Sequence, residues 1–254
     1  MSAKTETAAG FELFFSNEIK VVEPEQLVWD CVIAFLAWTL FQIVVFALPL
    51  KQYFPKDPNS KKAGGLFNYV DTCNRIVSIV HGWWCIGGSG YYLKKYGLSP
   101  CDTPVSQIEY YVTVVSTGYF AYDFFCMAYF GLLDFAMFLH HFAAVFGAGF
   151  GLYQNASMTF WMGVLMAGEC SNTPMHGRVI LRSMGLRHTK LYNLLENLYF
   201  RLYFVGRMGY AHVVMYDLLQ CPSCNIIVKA STTILIFQSY YFMYQMMFIM
   251  RRNN

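Results

Sequence analysis

Residues 134–147 have the sequence DFAMFLHHFAAVFG, in which two adjacent histidines sit in an otherwise apolar run. Asp134 precedes His141 by two turns of an α-helix, so these side chains share one helix face, while His140 is rotated from them by about 100°. An ionisable residue at the centre of a spanning helix costs roughly 2.5–3.5 kcal/mol on insertion scales and almost always faces a bundle interior or a wet cavity. The stretch therefore predicts a hydrophobic helix with a functional polar centre.

The composition indicates a membrane protein. Of the 254 residues, 56% are hydrophobic and only 13% are charged, whereas soluble globular domains carry about 25% charged residues. The apolar runs do not alternate strictly, which disfavours a β-barrel, and they are long enough for helices of about 20 residues. The predicted fold class is all-α, a polytopic transmembrane helix bundle. The net charge of +3 is too small to indicate a nucleic-acid partner.

Seven spans are predicted from the apolar runs. The first is closed by Pro49, and the fifth is interrupted by the segment ECSNTPMHGR. The spans divide the chain into an N-terminal tail (1–26), a first span with a basic loop (27–67), a six-helix domain (68–250) and a basic C-terminal tail (251–254). The predicted spans are 27–50, 70–93, 106–130, 135–153, 158–180, 191–219 and 226–250.

Lysines and arginines concentrate in segments that seven spans place on one side of the membrane, here called the basic side. Such residues are in excess in cytoplasmic loops, so the basic side is predicted to face the cytoplasm or the mitochondrial matrix. Lys94 and Lys95 are the main exceptions on the opposite side. The basic residues are Lys51, Lys56, Lys61 and Lys62 before the second span, Arg182, Arg187 and Lys190 before the sixth, and Arg251 and Arg252 in the tail.

The N-terminal tail has a helical pattern of apolar residues that Pro24 ends. This pattern predicts a short amphipathic helix lying in the membrane interface, with a disordered tail as the alternative. Its apolar residues are Phe11, Phe14, Phe15, Ile19 and Val22.

The eight cysteines are scattered, mostly within hydrophobic segments, which does not indicate a disulfide framework. Cys221 and Cys224 form a C-x-x-C pair in the loop between the sixth and seventh spans. That spacing alone leaves open a local disulfide or no bond at all.

Five of the predicted spans carry polar residues at helical spacing. The simplest arrangement turns these stripes toward one shared cavity, where acids and imidazoles lie close together. The members with an ionisable group are then candidates for ligand binding: His81, Glu169, Arg201 and His212, beside the His140–His141 group. The stripes are Asn74, Ser78 and His81; Ser116, Tyr119 and Asp123; Asp134 and His141; Glu169, Thr173 and His176; and Arg201, Val205, Met208 and His212.

A simpler role is the alternative for single histidines. Membrane histidines often only hydrogen-bond between helices, and this applies to His81, His176 and His212. Two adjacent imidazoles with two nearby acids are a costly way to pack helices, which favours a functional origin for that group. Adjacent histidines diverge on a helix and no His-x-x-x-His spacing occurs, so no metal site is predicted.

The segments RIVSIVHG, STGYFAYDFF, LLDFAMFLHHFAAVFG and GECSNTP have the order and approximate spacing seen in the TLC-domain family of membrane proteins. The resemblance runs from about Asn68 to Met250. The family includes the ceramide synthases and a set of smaller TLC-domain-containing proteins. The residues that match its motifs are Asp123, then Asp134, His140 and His141, and finally Glu169, Ser171 and Pro174.

The resemblance implies a chemistry. In ceramide synthases the histidine pair and nearby acids transfer a fatty acyl group from acyl-CoA to the amine of a long-chain base. Carried over, one of His140 and His141 is the base or the acyl-accepting nucleophile, and Asp123 or Asp134 orients it. Acyl-CoA is then a co-substrate and no cofactor is implied. The family favours the endoplasmic reticulum, with the mitochondrial inner membrane as the alternative.

The run that follows the pair, FAAVFGAGFGLYQN, lacks the polar positions and the acidic cluster of the ceramide-synthase motif. Because it lacks these positions, the chain is similar to the smaller TLC-domain proteins. Two further hypotheses therefore stand beside acyl transfer: a non-catalytic protein that binds lipid and influences membrane composition, and a structural subunit of a larger membrane complex. The expected partners are membrane lipids and, in the last case, other membrane subunits.

Overall fold

The chain folds as a helix bundle. The structure is a computed structural model that describes residues 16–53 and 64–253. Within those ranges the only β-pairing is two isolated bridges. Nine α-helices occur there: α1 Pro24–Ala47, α2 Gly64–Tyr96, α3 Gln107–Tyr129, α4 Phe135–Gln154, α5 Met158–Glu169, α6 Asn172–Ser183, α7 Lys190–Tyr203, α8 Ala211–Gln220 and α9 Ile226–Asn253.

The nine helices correspond to the seven predicted spans. Helices α1 to α4 and α9 each form one span. The fifth span consists of α5 and α6, which are separated at Cys170 and Ser171. Pro174 lies in the first turn of α6, and because proline has no N–H it removes one helical hydrogen bond to the preceding turn. The sixth span consists of α7 and α8, joined by a π-helical segment, Phe204–Tyr210.

Three helices, α1, α4 and the part of α9 up to Phe248, are long and apolar enough to cross a membrane by length and composition. Most of α1 is exposed, including Trp29, Ile33 and Leu40, as expected for a helix that faces lipid. The spans that fall short of this criterion carry the buried polar residues or are broken. Their lower hydropathy therefore reflects a polar interior.

The helices pack in a ring. Helix α1 lies on α3, α3 on α4, and α4 on α9, while α2 packs against α5 and α6. Gly118 permits the close contact of α1 with α3, because a Cβ at that position would lie 2.7 Å from the backbone nitrogen of Phe35. Helix α8 contacts both α5 and α9, which closes the ring around an interior space.

The residues before α1 are extended. The backbone of Lys20 donates to the carbonyl of Val105 at 2.8 Å, and Gln107 donates to the carbonyl of Glu18 at 2.8 Å. These hydrogen bonds occupy the backbone groups that a helix needs. The predicted interfacial helix therefore does not include residues 16–22, and its earlier part lies outside the described residues.

A disulfide joins Cys101, in the link between α2 and α3, to Cys221, directly after α8. Cys224 has a free thiol, so the local Cys221–Cys224 bond that the spacing left open is wrong. The correct partner lies 120 residues away in sequence, and only packing of the helices brings the two loops together. The membrane side that holds this bond is called the disulfide side.

Contacts between loops agree with the alternation of sides. On the disulfide side, Ser157 donates to the carbonyl of Cys101 at 2.6 Å, and Pro104 pairs with Ala156 in an antiparallel bridge. The links α2–α3, α4–α5 and α8–α9 therefore meet at one end of the bundle, and the links α3–α4 and α6–α7 lie at the other, the basic side.

Candidate functional site

The interior of the bundle holds a cavity of about 630 Å³. It reaches the basic side, because residues of the α3–α4 link and of the end of α6, such as Leu132 and Arg182, form part of its lining. Its inner part is polar. The predicted residues that line it are His140, His141, Asp123, Asp134, Glu169 and His176.

One side of the cavity, here called the aspartate wall, consists of Asn74, Tyr122, Asp123 and His141. The Nε2 atom of His141 lies 3.2 Å from Oδ2 of Asp123, and both residues are buried, with 2% and 4% exposure. Asn74 donates from Nδ2 to Oδ1 of Asp123 at 2.7 Å. The Tyr122 hydroxyl is 3.1 Å from the amide oxygen of Asn74. The carboxylate is thus held from two directions.

The two histidines of the pair have different partners. The Nε2 atom of His141 faces Asp123 at ion-pair distance, but neither ring nitrogen of His141 has a hydrogen bond of regular geometry among the described residues. The Nδ1 atom of His140 lies 3.0 Å from Oε1 of Gln238 on α9, and Gln238 in turn donates to the carbonyl of Ala136 at 2.6 Å. The rotation of about 100° between neighbours on a helix thus directs one imidazole to α3 and the other to α9.

The facing side, here called the glutamate wall, consists of Glu169, Asn172 and Arg207. Asn172 donates to Oε2 of Glu169 at 2.8 Å, and its Oδ1 atom lies 3.4 Å from a guanidinium nitrogen of Arg207. The same Oε2 atom is 3.9 Å from Nδ1 of the fully buried His81. The α5–α6 break places Glu169 and Asn172 at adjoining helix ends, so both can face the cavity.

His81 is held between the walls by its own packing. Its ring stacks on Tyr119 with centroids 3.7 Å apart, and its Nε2 atom is 3.1 Å from the Cys85 thiol. The Tyr119 hydroxyl donates to Ser78 at 2.8 Å. His81 therefore contacts the site through Glu169, while its stacking on Tyr119 fixes its position in the bundle.

Asp134 has a structural role at the mouth of the cavity. It is the N-cap of α4, and its carboxylate accepts a hydrogen bond from the backbone of Met137 at 2.7 Å. Acidic N-caps stabilise helix starts. Asp134 and His141 share a helix face as the spacing predicts, but His141 pairs with Asp123. The structure thus associates one of the two predicted acids with the imidazole.

Arg201 and His212 do not line the cavity. Arg201 is exposed, and His212 pairs with the Tyr240 hydroxyl at 2.6 Å near the bundle surface. The stripe through these residues assumes regular α-helical spacing, but the π-helical segment between them has i→i+5 bonding, which changes the register. Arg207, within that segment, lines the cavity instead.

Three amides orient the ionisable groups, and sequence spacing missed two of them. Asn74 lies on a predicted stripe, which was the only signal for it, while Asn172 and Gln238 had none. Among the described residues, no group of three His, Cys, Asp or Glu side chains is arranged to hold a metal ion. The site is therefore an arrangement of carboxylate, imidazole, amide and guanidinium groups around one cavity.

A paired imidazole and carboxylate can hold and move a proton, or present a nitrogen lone pair to an electrophilic carbon. The carboxylate fixes the ring and stabilises its protonated form.

A family model of the TLC domain matches residues 67–250. This match covers more than half of the chain, and the chain belongs to the TLC-domain family. The domain is membrane-embedded, and with the apolar helices it makes the protein an integral membrane protein with about seven spans. The predicted six-helix domain, residues 68–250, has nearly the same boundaries as the match.

Proposed function

We propose that the protein binds a fatty-acyl lipid in its cavity and transfers the acyl group to an acceptor amine, with Asp123 and His141 as the reactive pair. The observation that carries the proposal is the buried contact of 3.2 Å between His141 Nε2 and Asp123 Oδ2. In the proposed mechanism, His141 carries its proton on Nε2, toward Asp123, and a lone pair on Nδ1. Asn74 keeps the carboxylate in place for that role.

The chemistry needs only that lone pair. The acceptor nitrogen forms a bond to the acyl carbon of a thioester, the carbon–sulfur bond breaks, and the proton released by the amine passes through His141 to the leaving thiolate. If His141 first accepts the acyl group itself, the same lone pair forms the bond. Asp123 stabilises the imidazolium in both reaction routes, direct transfer and transfer through an acylated His141.

The position of the cavity supports a thioester donor. An acyl-CoA has a charged carrier that stays in water and a chain that suits the membrane. The cavity extends from the basic side to the buried histidines, so the carrier can remain outside. The disulfide lies at the opposite end, and disulfides persist in oxidising compartments, which favours a cytoplasmic or matrix-facing basic side.

The test is a transfer assay with purified protein in lipid nanodiscs, labelled acyl-CoA and a long-chain base. His141→Ala is expected to lower the rate by about 10²–10⁴-fold, the usual contribution of a positioned acid–base group. The matched control is His140→Ala, which removes the neighbouring imidazole. This variant should keep most of the activity, because His140 contacts Gln238 and not Asp123. No product from the wild type, or equal losses in both variants, would contradict the proposal.

Lipid binding without transfer is the second candidate function. It is favoured by the engagement of His140 with Gln238, because the two imidazoles then do not act on a common point. A wild-type protein that carries one bound lipid by native mass spectrometry, but forms no product with any acyl-CoA, would support this function. Co-migration with a large complex on a native gel would instead support a subunit role.

A further inference from the structure

Arg207 is a cation in the middle of the sixth span that forms no salt bridge with any described residue. Its guanidinium donates to the carbonyl of Gly168 at 2.7 Å and approaches Oδ1 of Asn172 at 3.4 Å. Its carbon Cζ lies 5.3 Å from the ring centre of Tyr203. Among the described residues, no carboxylate oxygen lies within 4 Å of its nitrogens.

Glu169 lies on the same wall and is linked to Arg207 through Asn172, but it does not contact the guanidinium directly. Its Oε2 atom accepts a hydrogen bond from Asn172 and lies 3.9 Å from Nδ1 of His81. The Nε atom of Arg207 is buried and has no hydrogen-bond partner in the described part of the chain. An arginine stays charged in proteins, and a charge without a direct ion pair at this depth is costly. An anionic or electron-rich ligand atom would offset that cost.

The backbone around Arg207 positions its side chain at the end of α5. Arg207 belongs to the π-helical segment Phe204–Tyr210, and π-bulges occur frequently at functional sites. Gly206 lets this segment approach α5 closely, because a Cβ there would lie 2.8 Å from the carbonyl oxygen of Ala167. The close approach brings the guanidinium against the end of α5.

A small second chamber begins at Arg207. It has a volume of about 50 Å³ and shares Phe120, His140, Glu169 and Arg207 with the main cavity. Most of the remaining wall is apolar and comes from α4, α5, α8 and α9. Its size suits a short segment of chain, since one water-sized group needs roughly 10–15 Å³ of accessible volume. Arg207 thus stands where a polar and an apolar space meet.

We propose that Arg207 binds the head oxygen of a fatty-acyl group, either the carboxylate of a free fatty acid or the thioester carbonyl of an acyl-CoA, with the adjoining carbons in the small chamber. This inference rests on the proposed function, since it assigns the acyl anchor of the same site. A guanidinium binds such oxygens through charge-assisted hydrogen bonds. Arg207 would thereby set the position of the acyl carbon relative to His141.

The test measures equilibrium binding of three probes to the full chain in nanodiscs: palmitic acid, hexadecanol and a non-reactive thioether analogue of palmitoyl-CoA that keeps the carbonyl oxygen as a ketone, with a methylene between the carbonyl and the sulfur. The wild type should bind palmitic acid at least about tenfold more tightly than hexadecanol, the preference expected for a hydrogen bond to a charged group. Arg207→Gln should remove most of that preference, and Arg207→Lys should keep part of it. Arg201→Gln is the matched control, because Arg201 is exposed on the same span.

Each outcome has a defined meaning. Tighter binding of the thioether analogue than of palmitic acid, with loss in Arg207→Gln, would assign the anchor to the thioester. Unchanged acid preference in a folded Arg207→Gln protein, or no preference for either acyl probe in the wild type, would overturn the inference. Binding is measured without transfer, so a protein that shows the Arg207 preference but forms no product would contradict only the proposed catalytic function.

Discussion

The two walls of the cavity are built in different ways. The aspartate wall lies on continuous helices, and its acid is matched by an amide and an imidazole. The glutamate wall lies on the α5–α6 break and the π-helical segment, and Arg207 has no carboxylate within 4 Å in the described part of the chain. Regular helices suit a reactive pair that must stay fixed. An irregular wall with an arginine that lacks a direct ion pair suits ligand binding.

The largest expected effect is on the aspartate wall. Asp123→Asn removes the negative charge beside His141 while keeping the shape of the side chain, so the transfer rate should fall by about 10²–10⁴-fold. Asp134→Asn is the matched control: the new residue can still cap α4, and the rate should stay close to that of the wild type. Comparable losses from the two substitutions would remove the distinction between a reactive and a capping acid.

The disulfide joins the α2–α3 link to the residue after α8. Helix α2 carries Asn74 of the aspartate wall, and α8 continues from the π-helical segment that carries Arg207 of the glutamate wall. Cys101→Ser should lower the stability by about 2–4 kcal/mol, the usual contribution of a native disulfide, measured by thermal unfolding in detergent. Cys224→Ser should have a much smaller effect, because this thiol is free. Thiol labelling of the denatured wild type, before and after reduction, gives an independent check: two cysteines should become reactive only after reduction.

The glutamate wall depends on a close helix contact. Gly206→Ala would place a Cβ 2.6 Å from the Cys170 sulfur and 2.8 Å from the Ala167 carbonyl oxygen. Overpacking of this kind costs about 1–3 kcal/mol, so the unfolding temperature should fall, and the preference for palmitic acid over hexadecanol should fall with it. Gly209→Ala, in the same segment, meets no atom closer than 3.8 Å and is the control. If the two alanines behave alike, the close contact is not what positions Arg207.

The smallest expected effect concerns the helix cap at the mouth of the cavity. Asp134→Ala removes the acceptor for the Met137 backbone N–H and should cost about 1 kcal/mol of stability. Transfer by the folded protein should be unchanged. A large loss of activity at normal stability would show that Asp134 takes part in the chemistry.

Helical spacing predicts the aspartate wall because α3 and α4 are regular. It places Asp123 and His141 toward the interior and separates His140 from His141. The same spacing fails for Arg201 and His212, because a π-helical segment lies between them and shifts the register. A lone sequence gives no sign of that segment.

Sequence spacing cannot predict contacts between distant elements, and the reason is different. Cys101 and Cys221 are 120 residues apart, and His140 and Gln238 are 98 residues apart. Which loops or helices meet depends on the packing of the whole ring, and a C-x-x-C pair carries no information about a third cysteine. The interruption at Pro174, by contrast, could be predicted, because the missing N–H acts within one turn.

The most direct test of the account asks whether an acyl lipid occupies the cavity. Val179 lines the cavity and is 9% exposed, whereas Val213 is 57% exposed on α8. Native mass spectrometry of protein released from nanodiscs should show one acyl lipid on the wild type and on Val213→Trp, and clearly less lipid on Val179→Trp, whose indole takes up part of the cavity. A wild type without lipid, or equal lipid content in the two tryptophan variants, would contradict the account.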